Sequence, residues 1–149
     1  MEALLQFVWQ HRLALRPDMQ TVDHRKVRVI HPGTLNTDAG PDFFNATIEI
    51  DGQQWAGNVE IHVRASDWFR HHHDTDPAYD SVILHVVQID DAPVHRRNGN
   101  LIPQIVINCT PDAARRCNRL MEYSAAALPC ASTIEKLPKL YHTCLLYTS

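Results

Sequence analysis

The sequence lacks the features that mark several large protein classes. It has no apolar run of the roughly 18 to 20 residues that a membrane-spanning helix needs. Its start lacks the basic flank and the small-residue cleavage site of a secretory signal. It also contains no P-loop, no Rossmann glycine fingerprint and no nucleophile elbow. These absences predict a cytoplasmic protein without membrane contact, and they argue against nucleotide kinases, dehydrogenases and serine hydrolases.

Cysteine pairs and excess positive charge are missing too. The cysteines at positions 109, 117, 130 and 144 form no CxxC pair, so we expect reduced thiols. The net charge of −3 at pH 7 argues against nucleic-acid binding through bulk positive charge, although a locally positive cleft is compatible with it. Histidine is abundant instead, because six of the ten histidines lie between His62 and His95.

Hydrophobic periodicity predicts helices alternating with strands. In chain order we expect a helix over 2–14, strands over 27–30, 43–50 and 55–64, a short helix over 66–73, strands over 81–89 and 101–107, and a helix over 111–123. Residues 81–89 are almost continuously apolar, which is typical of a central strand covered on both faces. The sequence therefore predicts one α/β domain over residues 1–123, with a mixed central sheet and flanking helices. Residues 124–149 are expected to be weakly structured.

The clearest candidate site lies on the hairpin predicted around the turn at residues 51–52. Glu60 and His62 are two residues apart on a strand, so their side chains point to the same side. Hairpin pairing brings Asp42 beside them, and two carboxylates on adjoining strands suit Mg²⁺ or Mn²⁺. Strict alternation would place Asp42 on the opposite face, so the site requires a bend or bulge at Pro41 and Asp42. Without it, the hairpin face would carry ordinary solvated charges.

Further polar residues could contribute to this site. The possible accessory residues are Asn45, Asn58, His71, His73 and His85. The histidine run at 71–73 could equally be a solvated loop. A polar ring such as that of His85, inside an apolar strand, needs a hydrogen-bond partner. We expect either a carbonyl partner for His85 or a place beside Glu60 and His62.

Two other classes of function remain open from the residues alone. Glu60, His62 and His85 make a two-histidine, one-carboxylate set, which is the composition of non-haem iron or manganese sites in cupin-like enzymes. A non-catalytic binding module is the other alternative. Its recognition loop would contain Asn36, Asp38, Phe43 and Phe44. Four arginines could contact phosphates, namely Arg64, Arg70, Arg96 and Arg97.

The hairpin motif resembles that of the PD-(D/E)XK nuclease superfamily. Pro41 and Asp42, an alternating strand, a turn and the run Glu60-Ile61-His62 follow its pattern, with His62 in place of the usual lysine. The order helix, three strands, helix, strand is also similar to its core. The resemblance implies a hydrolase that cleaves phosphodiesters in DNA or another nucleic acid. Asp42 and Glu60 would bind Mg²⁺ or Mn²⁺, and His62 would orient the attacking water. Because imidazole stabilises charge less well than ammonium, an active enzyme and a degenerate scaffold both fit.

A second resemblance covers more of the chain. Residues 36–68 and 76–87 are similar to a bacterial family catalogued as domain of unknown function 2851. With the amino-terminal helix and the strand at 101–107, the resemblance extends over most of residues 1–132. Members of that family are longer, which implies that this chain is an amino-terminal fragment, and the ending CLLYTS resembles translated adaptor sequence. The family implies no activity and no protein partner, so the nuclease hypothesis rests on the hairpin.

Overall fold

Three α-helices, six strands and a short 3-10 helix make up the described part of the chain, which is residues 1–13, 15–108 and 111–127 of the computed structural model. The elements are α1 (Glu2–Gln10), β1 (Val27–His31), β2 (Thr34–Leu35), β3 (Phe43–Ile50), β4 (Gln53–Arg64), α2 (Asp67–Arg70), the 3-10 helix (Pro77–Tyr79), β5 (Val82–Ile89), β6 (Gln104–Val106) and α3 (Pro111–Ala127). Helix α3 continues past the predicted end at residue 123. The rest of the segment expected to be weakly structured, residues 128–149, lies outside the described residues.

The strands form one mixed sheet in the order β1-β3-β4-β5-β6, with β2 paired to β3. Strands β1, β3 and β4 are antiparallel, whereas β4, β5 and β6 run parallel. Helices α1 and α2 both contact β4. All residues from Val82 to Val87 are buried, as expected for a central strand covered on both faces. The prediction of an α/β domain with a mixed central sheet is therefore confirmed.

Helix α1 anchors one side of the sheet through an apolar stripe. Its buried residues are Leu4, Leu5, Val8 and Trp9, and the Trp9 indole N–H donates to the Pro32 carbonyl at 2.9 Å. The helix ends at Gln10, earlier than the predicted residue 14, because Arg12 adopts a left-handed conformation with φ of 57°. This end could not be predicted from the sequence, since arginine is ordinarily a good helix former.

A β-bulge in β3 decides which way the start of that strand faces. Ile50 pairs with Gln53 across the predicted two-residue turn. Further along the hairpin, Ala46 pairs with Gly57 and Phe43 pairs with Val59. Three steps along β3 therefore match only two along β4, so β3 holds one extra residue. The bulge lies at residues 44–45, so the predicted position at Pro41 and Asp42 was wrong. Asn45 has φ of 60°, and asparagine is among the few residues that enter this left-handed region readily, whereas proline cannot.

Replacing Asn45 with valine is expected to lower the free energy of unfolding by about 1–2 kcal/mol, because a β-branched residue is strained at positive φ. Glycine at the same position accepts this φ and retains the backbone N–H, so it is the matched control and should change stability much less. Urea denaturation of the two variants measures the difference. Equal stability of the valine and glycine variants would contradict a left-handed bulge at this position.

Candidate metal centre

The Asp42 and Glu60 side chains lie side by side, and each carboxylate accepts a hydrogen bond from a backbone N–H of the opposite strand segment. The Asp42 backbone N–H donates to Glu60 Oε2 at 3.0 Å, and the Ile61 backbone N–H donates to Asp42 Oδ2, also at 3.0 Å. The Gln6 side chain on α1 also hydrogen-bonds to the Asp42 carboxylate. The bulge thus produces the juxtaposition that strict alternation would have prevented. One oxygen of each carboxylate is engaged with the backbone, and Glu60 Oε1 is directed elsewhere.

Glu60 Oε1 faces a group of histidines that the fold brings over β4. This oxygen lies 3.5 Å from His62 Nε2 and 3.3 Å from His73 Nε2. His62, His71 and His73 each offer one nitrogen, and these three nitrogens lie within 4.8 Å of one another. We call His62, His71 and His73 the histidine triad. Imidazole nitrogens at this spacing, beside a carboxylate oxygen, are a donor set that fits a transition-metal ion.

The chain reversal after α2 explains how the triad forms. The Ser66 carbonyl accepts from the Arg70 N–H, and the His73 N–H then donates back to the Trp68 carbonyl at 3.0 Å. His72 has φ of 60°, a left-handed conformation that turns the chain back toward β4. His62 and His73 are buried while His71 is exposed. The triad therefore opens to solvent on the His71 side.

His73 is held by aromatic contacts but lacks one hydrogen bond. Its ring stacks on that of Tyr79 with centroids 3.7 Å apart, and Trp68 meets it edge-on at 5.3 Å. Its Nδ1 is the one buried side-chain nitrogen or oxygen without a hydrogen-bond partner in the described part of the chain. Buried polar atoms are nearly always satisfied. His73 is thus an exception to this rule, with Nε2 beside Glu60 and Nδ1 without a partner.

Burial favours the neutral forms of Glu60, Asp42, His62 and His73 in the absence of a metal. Burial, and then the charge of Asp42, raises the pKa of Glu60 to about 9. Burial lowers the pKa of His62 to about 2 and also lowers the pKa of His73. It raises the pKa of Asp42. Neutral imidazoles retain the lone pairs that metal coordination requires.

The metal-free protein is expected to lose stability as the pH rises above about 6.5. The ordinary pKa of Glu60 is 4.5 and its folded pKa is about 9. Between these two pH values the Glu60 carboxyl of the unfolded chain has released a proton that the folded chain keeps. The free energy of unfolding therefore falls with rising pH. Below pH 6.5 the lowered pKa values of His62 and His85 act oppositely, because the unfolded chain takes up protons that the buried rings do not. Stability should peak between these two effects.

Urea denaturation with a chelator present, repeated across this pH range, tests the Glu60 effect. The Glu60→Gln variant cannot titrate, so its stability should not fall on the alkaline side as that of the wild type does. If the free energy of unfolding fell equally in both proteins on the alkaline side, the fall could not be assigned to the raised pKa of Glu60.

His85, predicted as a possible accessory residue, lies behind the triad rather than in it. Its Nε2 is 2.8 Å from His62 Nδ1, and its Nδ1 is 2.8 Å from Gln104 Oε1. Both ring nitrogens are thus engaged with side chains. This leaves no nitrogen for a metal, so the structure does not assemble the Glu60, His62 and His85 ligand set.

Four other residues singled out in the sequence serve the fold in the contacts that the structure describes. The Asn45 N–H donates to Asn58 Oδ1 at 3.2 Å, and Asn58 Nδ2 donates to Ser81 Oγ at 2.7 Å. Asn36 Nδ2 donates to three carbonyls of its own loop. Phe43 is fully buried, as an anchor of the hairpin. These contacts stabilise the bulge and the loop that precedes it.

The arginines considered as phosphate contacts are partly engaged elsewhere. Arg70 pairs with Asp67 at 3.0 Å, and its side chain remains 74% exposed beside the triad. Arg97 pairs with Asp80 at 2.5 Å. Arg96 donates to a backbone carbonyl at 2.6 Å. Of these three, Arg70 is the best placed to meet an anion at the triad, because its charge acts on His62.

Two residues of α1 contribute to the site although the sequence analysis missed them. Besides Gln6, the Glu2 carboxyl is close enough to interact with Asp42 and His71, and burial raises its pKa. Glu2 and Gln6 stand four residues apart, which places them on one face of the helix. That spacing was a usable signal, but nothing in the sequence indicates which part of the sheet this face meets.

The comparison with known families covers nearly the whole chain. A family model described as a protein of unknown function (DUF2851) matches residues 2–148. The chain belongs to this family. Neither the curated proteins nor the solved structures give a match to this DUF2851 member. In the described residues, no helix is long and apolar enough to cross a membrane.

Proposed function

We propose that this DUF2851 member is a metal-dependent phosphodiesterase of the nuclease type, acting on DNA or another nucleic acid, with its metal ion held by the histidine triad. The observation that carries the proposal is the convergence of the three imidazoles, two of which also lie beside Glu60 Oε1. The neutral forms that burial favours in His62 and His73 leave lone pairs available for a metal.

The donor set retains Mn²⁺, one of the two metals that the sequence suggested, and favours Zn²⁺ over Mg²⁺. Asp42 and Glu60 alone would suit Mg²⁺ or Mn²⁺, but Asp42 gives one oxygen to the Ile61 N–H. Imidazole ligands favour zinc or iron, whereas an added carboxylate also accommodates manganese. We therefore propose Zn²⁺ or Mn²⁺ at the triad, with Glu60 beside it and Asp42 positioning Glu60.

The residues around the triad have distinct tasks in hydrolysis. The ion would supply Lewis-acid chemistry, polarising a phosphoryl oxygen and activating water. A cation at the triad would lower the pKa of Glu60 from its metal-free value of about 9. The ionised Glu60 Oε1 would then accept the proton of the attacking water, as a general base placed at the edge of the triad. The exposed side of His71 admits the substrate, and the neighbouring Arg70 guanidinium attracts its phosphate.

The strand order supports the nuclease type. Helix α1, the antiparallel strands β1, β3 and β4, helix α2 and the parallel strand β5 follow the order helix, three strands, helix, strand. The acidic pair of the hairpin lies where β3 begins and β4 runs beside it. Both features are compatible with a PD-(D/E)XK-like core whose lysine is replaced by a metal-binding histidine.

The test combines metal content with cleavage. We expect purified protein to carry or bind Zn²⁺ or Mn²⁺ and to cleave single-stranded DNA, duplex DNA, RNA or a chromogenic phosphodiester only with that metal. A His73→Asn variant, which loses one nitrogen of the triad, should lose both properties. Metal-loaded protein that leaves all four probes intact would overturn the proposal.

A redox enzyme is the second candidate, and one observation favours it. Three histidines and a carboxylate are also a donor set of iron and manganese redox sites. This candidate predicts co-purified iron and oxygen consumption by the loaded protein. Helices between the strands argue against a small all-β barrel of the cupin kind.

A further inference from the structure

A buried chain of hydrogen bonds connects His62 to the loop that follows β5. His62 Nδ1 lies 2.8 Å from His85 Nε2, and His85 Nδ1 lies 2.8 Å from Gln104 Oε1. Gln104 Nε2 then donates to Asp90 Oδ1 at 2.6 Å. His62, His85 and Gln104 are at most 2% exposed, so water does not compete for these bonds. We call His62, His85 and Gln104 the relay.

The contacts of Gln104 determine which group donates and which accepts in each hydrogen bond of the relay. Gln104 Nε2 faces two acceptors, Asp90 Oδ1 and the Ala92 carbonyl at 3.2 Å. A flipped amide would place its oxygen against both of these oxygens, so the nitrogen must face them and Oε1 must face His85. Because Oε1 can only accept, the His85 proton is on Nδ1. Neutral His85 then presents a lone pair on Nε2, and His62 must supply the proton between the two rings.

We propose that Gln104 and His85 are positioning residues that hold the proton of His62 on Nδ1 and so direct the Nε2 lone pair toward Glu60 and the triad. Neutral histidine in water favours the opposite tautomer, so the relay imposes a state that the side chain would not choose alone. Hydrogen bonds of this kind behind a metal ligand fix its ring and its tautomer. The metal part of this inference rests on the proposed function, whereas the tautomer does not.

The tautomer can be read directly by NMR of metal-free protein labelled with ¹⁵N-histidine. Long-range ¹⁵N–¹H spectra distinguish a protonated Nδ1 from a protonated Nε2 in each ring. We expect both His62 and His85 to carry the proton on Nδ1, while the exposed His72 keeps the tautomer of free histidine. A proton on Nε2 of His85 would overturn the proposal, and this wild-type measurement does not depend on any variant.

Gln104→Met tests the consequence for metal binding. Methionine has similar length but no acceptor for the His85 proton, so zinc affinity is expected to fall about 10- to 100-fold, and the Nδ1 signature of His85 should be lost. Ile105→Val is the matched control, because it loosens the same buried strand from its other face without touching the relay. Unchanged zinc affinity in Gln104→Met would overturn the positioning role. Failure of wild-type protein to bind either zinc or manganese, with the expected tautomers present, would instead refute the proposed function alone and support the relay.

Discussion

Replacing His71 with asparagine is expected to lower zinc affinity by about 100-fold or more, whereas the same replacement at His72 should leave it unchanged. The loss should exceed the 10- to 100-fold typical of residues that only support a ligand, because a donor nitrogen itself is removed. His71 belongs to the triad, and His72 does not belong to the metal-capable group among the described residues. The pair therefore separates ligation from general charge or polarity.

The comparison is sharp because the two residues are adjacent and both exposed. Neither replacement removes core packing, and asparagine tolerates the left-handed conformation that His72 adopts. Competition titration with a zinc chelator gives both affinities, and thermal unfolding without metal verifies equal folding. Equal zinc affinity of the two variants would mean that His71 is not a ligand.

Much of the fold can be predicted from turn signals and from the pattern of apolar residues along a single sequence. The turn at Asp51 and Gly52 fixes the hairpin register at its tip, and the apolar run of β5 marks the centre of the sheet. The bulge could not be placed so easily, because any residue of β3 that tolerates positive φ could have supplied it. Asn45 does so, and the expectation at Pro41 placed the irregularity too early.

Only part of the site could be predicted by the same reasoning from sequence periodicity. The pairing of Glu60 with His62 follows from the two-residue period of a strand, but their burial depends on α2 and the turn at His72 covering that face. The position of His73 over Glu60 is a tertiary contact that no local pattern encodes. The same holds for Gln104, whose role depends on the parallel pairing of β5 with β6.

Replacing Glu60 with glutamine is expected to lower kcat for a chromogenic phosphodiester roughly 100- to 10,000-fold, which is the usual contribution of a general base. The amide oxygen still accepts the Asp42 N–H, so the hairpin should stay intact, and the three imidazoles should retain the metal. The loss should therefore fall on the proton transfer. Steady-state kinetics at saturating Zn²⁺ or Mn²⁺, with metal content measured on the same samples, give the comparison.

Glu49→Gln is the control for this experiment, because Glu49 lies on the same hairpin and pairs with exposed Arg28 at 2.9 Å, away from the triad. It should retain wild-type kcat, since exposed ion pairs contribute little. A Glu60→Gln variant that keeps both its metal and its kcat would remove Glu60 from the chemistry. A variant that loses its metal instead would make Glu60 a ligand, because the imidazoles alone would then be too weak a donor set. The metal content of this one variant thus distinguishes a base beside the ion from a ligand on it.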